Sequence, residues 1–237
     1  MKFFIISDVH SFYTPMIKAL KEAGFDKDNP NHWLISCGDN FDRGNESEKV
    51  RQFLLNLPQK TLIKGNHEDL ILDCCERGYP EWHDKSNGTM KTIIELGHAQ
   101  ENGFELACEV TKTKLKPLIN QMVNYFETKN YVFVHSFIPY NTIKEEWRKA
   151  VNAEWKKARW HDPFALCKKG LWKEDKKLVF GHWHTSKEWS KVLNTPEHGE
   201  GAIYDIFETD EYIGLDACTV LSNKVNVLVM EDEFLNA

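Results

Sequence analysis

Five short apolar runs in this chain each end in side chains that can bind a metal ion, and this recurrence constrains the fold more than any other feature. Those side chains are Asp8 and His10, Asp39, Asn66 and His67, His135, and His182 with His184. The first three runs alternate with helical patterns over about residues 14–23, 46–56 and 67–77. Such alternation predicts a sheet with helical crossovers, in which the carboxyl ends of several strands meet at one edge. We therefore expect these polar side chains to converge.

The second half of the chain is rich in strand-like segments, with fewer helical patterns between them. These segments begin at Tyr131, Lys177, Ala202, Tyr212 and Val225. Because β-branched and aromatic residues are frequent in them, we expect strands. At 237 residues the chain suits one domain. The prediction is a single α/β (α+β) domain over residues 1–237, built as a two-sheet β-sandwich flanked by helices.

Residues 78–130 show no comparable strand pattern and predict a helical insertion within this domain. Apolar side chains recur at three- and four-residue steps from Leu115 to Phe126, which places them on one face of a helix with Pro117 near its start. Core packing explains this face more simply than a ligand groove. Because the insertion directly follows the "GNHE" segment, we interpret it as shaping access to the site.

Composition narrows the classes of function. No apolar run approaches the roughly 20 residues of a membrane helix, so we expect no membrane partner. The net charge of -6 argues against nucleic acid as a stable partner. The six cysteines show no CxxC spacing, which favours thiols over bridges or zinc ligands. With no cleavage site of a secretory signal after the first strand, we expect a cytoplasmic protein.

The spacing of the polar side chains supports metal binding. Asp8 and His10 are two residues apart, so both project to the same side of an extended chain, and "GHWH" repeats this spacing. Glycine stands directly before three of the proposed ligands, at positions 38, 65 and 181. The absence of a Cβ lets two loops pack closely there. A lone His beside a strand is more often structural, so the prediction depends on the recurrence.

Mixed His, Asp and Asn ligands without Cys suit a pair of borderline or hard divalent cations. We expect two such ions, manganese first, with iron, zinc or magnesium as alternatives. Two ions can clamp the oxygens of an in-line displacement and deprotonate a bridging water near neutral pH. Phosphoester hydrolysis by attack of that bridging hydroxide is the natural use of such a site.

The same segments resemble the motifs of the calcineurin-like metallophosphoesterases, which run D-x-H, G-D, G-N-H, H and G-H-x-H. Here they stand as "DVH" at 8–10, "GD" at 38–39, "GNHE" at 65–68, "VHS" at 134–136 and "GHWH" at 181–184. The longer "GDNFDRG" at 38–44 is similar to a motif of the serine/threonine phosphoprotein phosphatases and the symmetrical dinucleoside tetraphosphatases. The resemblance implies the four-layer α/β/β/α fold of this superfamily.

The resemblance also implies which residues hold the metal ions. One ion would be held by Asp8, His10, Asp39 and His184. The other would be held by Asp39, Asn66, His135 and His182. Asp39 would thus bridge the two ions.

Roles for the remaining site residues follow from the same resemblance. Asp42 would orient His67, the general acid, and Arg43 would bind phosphate oxygens together with Asn66. An imidazole paired with a carboxylate can protonate a leaving alkoxide, and the planar fork of Arg suits phosphate. The segment "RWHDP" at 159–163 is similar to a W-S-D-P segment of the phosphoprotein phosphatases. It makes Arg159 a further candidate for substrate binding, with a surface salt bridge as the alternative.

Departures from the family pattern leave the substrate open. Ser11 stands where the phosphoprotein phosphatases usually have Gly, and the G-H-x-H ending is more typical of phosphodiesterases. We predict a metal-dependent phosphatase that hydrolyses phosphomonoesters of a phosphoprotein or a small molecule. The alternative is a dinucleoside polyphosphate hydrolase or phosphodiesterase, with Trp160 and Trp183 stacking a base, although such tryptophans more often belong to the core. The intact site argues against a non-catalytic scaffold.

Overall fold

Strands in the computed structural model, which describes residues 1–140 and 146–235, form two sheets. In chain order the strands are β1 (Lys2–Ile6), β2 (His32–Ser36), β3 (Lys60–Leu62), β4 (Tyr125–Glu127), β5 (Tyr131–Val134), β6 (Lys177–Phe180), β7 (Phe207–Glu208), β8 (Tyr212–Gly214) and β9 (Leu228–Glu231). One sheet has the order β3-β2-β1-β9 and the other β4-β5-β6-β8-β7. In the first sheet β1, β2 and β3 are parallel and β9 is antiparallel. In the second, β5, β6 and β8 are parallel and the edge strands are antiparallel.

The alternation of side chains along the strands explains why the sheets stack. In β1, Phe3 and Ile5 point to one face and pack with Phe133 and Val179 of the second sheet in a core between the sheets. Phe4 of the same strand belongs to a different core, which the helices cover. Each sheet is therefore apolar on both faces, so each needs a layer of helices outside it.

Helices supply those outer layers. They are α1 (Tyr13–Glu22), α2 (Ser47–Asn56), α3 (Asn66–Arg77), α4 (Trp82–Ser86), α5 (Thr89–Gly97), α6 (Ala99–Asn102), α7 (Phe104–Ile119), α8 (Asn152–Ala158), α9 (Pro163–Lys168), α10 (Thr185–Leu193) and α11 (Thr219–Ser222), with a 3₁₀ turn at Trp147–Lys149. Helices α1, α2, α3, α5 and α7 cover the first sheet, and α8 and α9 cover the second. The predicted four-layer α/β/β/α sandwich is confirmed. In the described ranges no helix combines the length and apolar character needed to cross a bilayer.

The segment 78–130 differs in detail from its predicted helical character. Helices α4 to α7 occupy most of it, but Tyr125–Glu127 forms β4 and pairs with β5. Pro117 lies in the last turn of α7 and not near a helix start. A three-residue edge strand carries too little periodicity to be seen in the sequence. The strand-like run from Ala202 also contributes only its end, because β7 is Phe207–Glu208.

Phe133 tests the packing between the sheets. Its side chain is fully buried in the core that joins the two sheets. Phe133→Ala should lower the free energy of unfolding by about 3–5 kcal/mol, because it removes the buried ring and leaves a cavity. Urea denaturation measures this loss. The control Val192→Ala, at a side chain 61% exposed, should change it by less than about 0.5 kcal/mol. A Phe133 variant as stable as this control would contradict the packing.

Candidate metal centre

The carboxyl ends of the parallel strands of both sheets meet at one edge of the sandwich. Two backbone-to-side-chain contacts show how closely the sheets approach there. The ring of His135, after β5, lies with Nδ1 2.8 Å from the carbonyl oxygen of Cys37, after β2. The backbone N–H of His182, after β6, donates to Oδ2 of Asp8, after β1, at 2.9 Å. The structure therefore brings the predicted ligands of the two sheets together, as strand ends in parallel sheets require.

Asp39 lies at the middle of this edge and uses its two oxygens on different sides. Its Oδ2 is 3.9 Å from Nε2 of His10 and 3.8 Å from Nε2 of His67. Its Oδ1 is 3.4 Å from Nε2 of His135. Ligand atoms of two groups, His10 with Asp39 and His67, and Asp39 with His135 and His182, each lie within 4.8 Å of one another. One carboxylate is thus shared by two groups that could each hold a metal ion.

The remaining predicted ligands adjoin these two groups. Oδ1 of Asp8 lies 3.9 Å from Nε2 of His10, and Oδ1 of Asn66 lies 2.7 Å from Nε2 of His135. His184 lines the same cleft, with Nε2 3.6 Å from Oδ2 of Asp216. Every residue that the sequence predicted as a ligand is therefore at this edge of the sandwich.

Hydrogen bonds on the far side of two imidazoles fix which nitrogen faces the cluster. Nδ1 of His10 donates to the carbonyl oxygen of Phe41 at 2.9 Å, and Nδ1 of His135 donates to that of Cys37. Because a carbonyl oxygen can only accept, Nδ1 of each ring carries a proton, and the ring in its metal-binding, neutral form presents the lone pair of Nε2 to the cluster. For His135 this lone pair faces Oδ1 of Asn66, also an acceptor. A cation between such atoms would satisfy both.

Without bound cations, the carboxylates of this cluster repel one another. Burial raises the pKa of Asp8 well above its usual range, and the carboxylates of Asp216 and Asp39 raise it further. Burial also raises the pKa of Asp216. At Asp39 burial acts in the same direction, but nearby imidazoles, His135 first, outweigh it and lower the pKa. Divalent cations would relieve the repulsion between these carboxylates.

Two of the imidazoles around Asp39 favour the neutral form, which is the form that binds metals. Burial lowers the pKa of His182 to about 3, and the neighbouring His135 adds to the shift. Burial also lowers the pKa of His10 well below its usual range, aided by His67. Neutral imidazoles, mutually repelling acids and an amide oxygen form a donor set that fits a pair of divalent ions.

Strained loops carry these side chains. Six of the residues have a left-handed backbone, namely Asp8 (φ 52°), His10 (φ 49°), Asp39 (φ 54°), Asp42 (φ 72°), Arg43 (φ 62°) and His182 (φ 66°). Each such non-glycine conformation costs about 1–3 kcal/mol, and strain of this kind clusters at functional sites. A Cβ on Gly65 would overlap the carboxylate of Asp39, and one on Gly181 would overlap that of Asp8. The predicted need for glycine before these ligands is confirmed.

Glu68 holds the loops that carry Asp39 and Asn66. Its carboxylate accepts hydrogen bonds from the backbone N–H groups of Asp39, Asn40 and Gly65, at 3.1, 2.8 and 2.8 Å. The side chain is fully buried at the start of α3. The last letter of "GNHE" is therefore an organiser of the loops, a role that the sequence had not indicated.

A dyad of His67 and Asp42 stands beside the metal-competent groups. Nδ1 of His67 donates to Oδ2 of Asp42 at 2.8 Å, and Nη2 of Arg43 lies 3.5 Å from Nε2 of His67. Burial lowers the pKa of His67, but the carboxylates of Asp39 and Asp42 outweigh burial and raise it above its ordinary value. Nε of Arg43 is buried and has no hydrogen-bond partner among the residues that the structure describes. An imidazole that retains a proton and a guanidinium with unused donors both face the cleft.

Two cavities open at this edge. The inner cleft has a volume of about 90 Å³, and its lining includes His10, Asp39, Arg43, His67 and Trp160. A neighbouring cavity of about 400 Å³ shares Trp160, His182 and His184 with it and extends to Trp183, Lys187, Glu197 and His198. The cleft can admit a phosphoryl group, and the cavity beside it has room for a larger part of a substrate.

Arg159 is the predicted site residue that the structure does not bring to the cleft. Its Nη1 donates to Oδ2 of Asp69 at 2.7 Å, its Nε to the carbonyl oxygen of Lys64 at 3.0 Å, and its Nη2 to Oδ1 of Asn124 at 2.5 Å. The side chain is buried and does not line the cleft. With every guanidinium nitrogen engaged, Arg159 ties α3 to the second sheet. It is a buried ion pair, neither a phosphate ligand nor a surface salt bridge.

Asp216 is a site residue that the sequence analysis missed. It follows β8, lines the cleft and faces His184. Its signal was present, because the strand-like segment from Tyr212 also ends in an acid. The run therefore belongs with the other five.

Comparisons with known proteins agree with this geometry. The family model of the calcineurin-like phosphoesterases matches residues 1–206. Serine/threonine-protein phosphatase 2 of Salmonella typhimurium is 37% identical over 136 residues, which cover 57% of this chain and 58% of the relative. The symmetrical bis(5'-nucleosyl)-tetraphosphatase of a Marinomonas species is 27% identical over 140 residues, 59% of this chain and 45% of the relative. The chain thus spans less than two thirds of either relative.

A solved structure shares the fold. The cold-active protein-tyrosine phosphatase of a psychrophilic Shewanella species matches with a TM-score of 0.59 and 17% identity, over 97% of this chain and 75% of that one. At this identity the likeness concerns the fold alone. The match of the family model along most of the chain, with the motifs gathered at one edge of the sandwich, shows that the chain belongs to the calcineurin-like phosphoesterase family.

Proposed function

We propose that this chain hydrolyses phosphomonoesters with two divalent metal ions, in the manner of a serine/threonine protein phosphatase. The observation that carries the proposal is the shared carboxylate of Asp39 between two metal-competent groups, directly beside His67, Asp42 and Arg43. The name of the Salmonella relative supports the choice of a phosphoprotein as substrate. A cytoplasmic location stays a prediction.

In this proposal the ligands divide around Asp39. One ion is held by Asp8, His10, Asp39 and His184, and the other by Asp39, Asn66, His135 and His182. The ions supply Lewis acidity toward the phosphate and acidify a water molecule. Manganese suits this mixture of nitrogen and oxygen donors, with iron, zinc or magnesium as alternatives.

His67 lies close enough to Asp39 to be considered a ligand, but its hydrogen bond favours another role. Nδ1 is occupied by Asp42, which supports a protonated ring. Nε2 then donates its proton to the leaving oxygen as the P–O bond breaks and the oxygen of water bonds to phosphorus. The attacking water releases one proton to solvent, and His67 takes one proton back from solvent after the leaving group departs, so no net proton is consumed.

Arg43 and Asn66 would bind the phosphate in the proposed reaction. The unpartnered Nε of Arg43 and its Nη2, which lies 3.5 Å from His67, offer donors on the side of the general acid. The amide of Asn66 is buried against His135 and can reach both a metal ion and a phosphate oxygen. A phosphate gripped by Arg43 would therefore present its leaving oxygen toward His67.

A second candidate function is hydrolysis of a dinucleoside polyphosphate. The sequence left open whether Trp160 and Trp183 are core residues. Trp160 is 50% exposed, lines both the cleft and the larger cavity, and has its ring centre 6.2 Å from that of His182. Trp183 lines the cavity with Lys187 over its ring at 3.8 Å. An exposed indole beside a phosphate site suits stacking of a base.

Variants of Asp39 and His67 distinguish the contribution of metal binding from that of proton transfer. Asp39→Asn should lose tightly bound manganese and, with it, turnover, because one shared carboxylate serves both groups. His67→Asn should keep two manganese ions and lose about 10²–10⁴-fold in kcat on a substrate with a poor leaving group. Metal analysis by mass spectrometry together with phosphate-release kinetics measures both.

Asp210→Asn, at an exposed acid outside the cleft, is the matched control and should behave like the wild type. Metal-independent turnover, or binding of two manganese ions by the Asp39 variant with full activity, would refute the proposed centre. Absence of turnover on any phosphoester would favour a non-catalytic scaffold.

A substrate panel distinguishes the two candidate functions. With manganese present, we expect a higher kcat/KM on a phosphoserine peptide and on nitrophenyl phosphate than on diadenosine tetraphosphate. The opposite order would favour the second candidate. In that case Trp160→Ala should lower kcat/KM on the dinucleotide by about 5- to 150-fold, the equivalent of a stacked base, and leave nitrophenyl phosphate unaffected. Trp82→Ala, at an indole 80% exposed and outside both cavities, is its control.

A further inference from the structure

Helix α5 contacts the general-acid dyad through two threonine side chains. Oγ1 of Thr89 donates to Oδ2 of Asp42 at 2.8 Å, and Oγ1 of Thr92 donates to Oδ1 of Asp42 at 2.8 Å. Oγ1 of Thr92 also accepts the backbone N–H of Asp42 at 2.9 Å. Both threonines and Asp42 are fully buried. With the ring of His67, three donors therefore bind the two oxygens of one buried carboxylate, two on Oδ2 and one on Oδ1.

The spacing of the threonines explains why one helix reaches both oxygens. Residues three apart lie on the same face of a helix, so Thr89 and Thr92 project together from the first turn of α5. Each places one hydroxyl on a different oxygen of Asp42. Two contacts on different oxygens resist rotation of the carboxylate, which a single hydrogen bond would allow.

The same turn of α5 also touches the backbone of the next site residue. Nζ of Lys91 donates to the carbonyl oxygen of Arg43 at 2.9 Å. Gly88, with φ +84°, lies so close that a Cβ would overlap the backbone nitrogen of Arg43. Asp42 and Arg43 both have left-handed backbones, so they need such external support. The helical segment thus contacts the dyad through its loop as well as through its side chains.

We propose that Thr89 and Thr92 are positioning residues for proton transfer. They hold the carboxylate of Asp42 in the orientation that fixes Nδ1–H of His67, so that Nε2 stays aimed at the leaving oxygen. This inference rests on the proposed function and gives α5 a part in the chemistry beyond shaping access. Partners that orient a metal-binding imidazole typically matter by about 10- to 100-fold in metal affinity or activity, and we expect a loss of similar size for partners that orient a general acid.

The test removes the hydroxyls and compares substrates that differ in their need for an acid. Thr89→Val and Thr92→Val keep the shape of the side chain, and Thr92→Ser keeps the hydroxyl. The manganese-loaded enzymes are assayed on phenyl phosphate, whose leaving group needs a proton, and on dinitrophenyl phosphate, whose leaving group does not. We expect kcat on phenyl phosphate to fall about 10- to 100-fold in each Val variant, with KM and manganese content unchanged.

On dinitrophenyl phosphate the same variants should lose less than about threefold, because a good leaving group departs without an acid. Thr92→Ser should restore most of the rate on phenyl phosphate. Thr111→Val is the matched control, since Thr111 is fully buried in α7 and its hydroxyl has no hydrogen-bond partner in the described part of the chain. It should leave both substrates unaffected.

Equal losses on both substrates, a change confined to KM, or no change in either Val variant would overturn the inference. If Thr92→Val fails to fold by circular dichroism, Thr89→Val and Thr92→Ser still decide the outcome. The His67→Asn variant distinguishes failure of the inference about the threonines from failure of the proposed function. If His67→Asn shows the leaving-group dependence and the threonine variants do not, only the inference falls. If the wild type shows no manganese-dependent turnover, the inference falls together with the proposed function.

Discussion

The carboxylate of Asp39, buried where two sheets end, is the constraint on which the rest of this structure depends. Burying it beside Asp8 and Asp216 is unfavourable, because like charges in a medium of low polarity raise one another's energy. Surrounding imidazoles offset part of that cost, but burial lowers the pKa of two of them, His10 and His182, and so favours their neutral forms. Additional positive charge, such as that of bound cations, is needed to offset the remaining repulsion between the carboxylates. The cluster is therefore an unfavourable arrangement for the chain alone and a favourable one for a pair of cations.

A sandwich of parallel strands is well suited to hold such a cluster. The strand ends come from two sheets joined by a wholly apolar core, so the loops cannot separate without exposing that core. This rigidity supports several left-handed residues at once, and Glu68 adds three hydrogen bonds to backbone groups of the strained loops. Backbone strain and charge repulsion are thus concentrated at the edge of the fold, where the free energy of cation binding can offset them.

The sequence predicted features that depend on residues close together in the chain. It missed features that depend on contacts between residues far apart in the chain. The metal-competent side chains after each strand were predictable because strand and side chain are neighbours in the chain, and Asp216 carried the same local signal. Arg159 was misassigned because its partner Asp69 is 90 residues away and no local pattern reveals a buried ion pair. The contact of Thr92 with Asp42 spans 50 residues in the same way. Strand β4 was missed because three edge residues show no clear alternation.

The two halves of the proposed chemistry are held by different parts of the fold. Strand ends of the sandwich hold the groups that would bind cations and stabilise charge, whereas α5 holds Asp42 and, through it, the proton on His67. In the proposed mechanism a change in α5 would act first on Asp42. The dyad and the metal-competent groups are nevertheless coupled, because the backbone N–H of His67 donates to Oδ1 of Asp39 at 2.9 Å. In the proposed reaction, proton delivery would thus depend on a helix that contributes none of the proposed metal ligands.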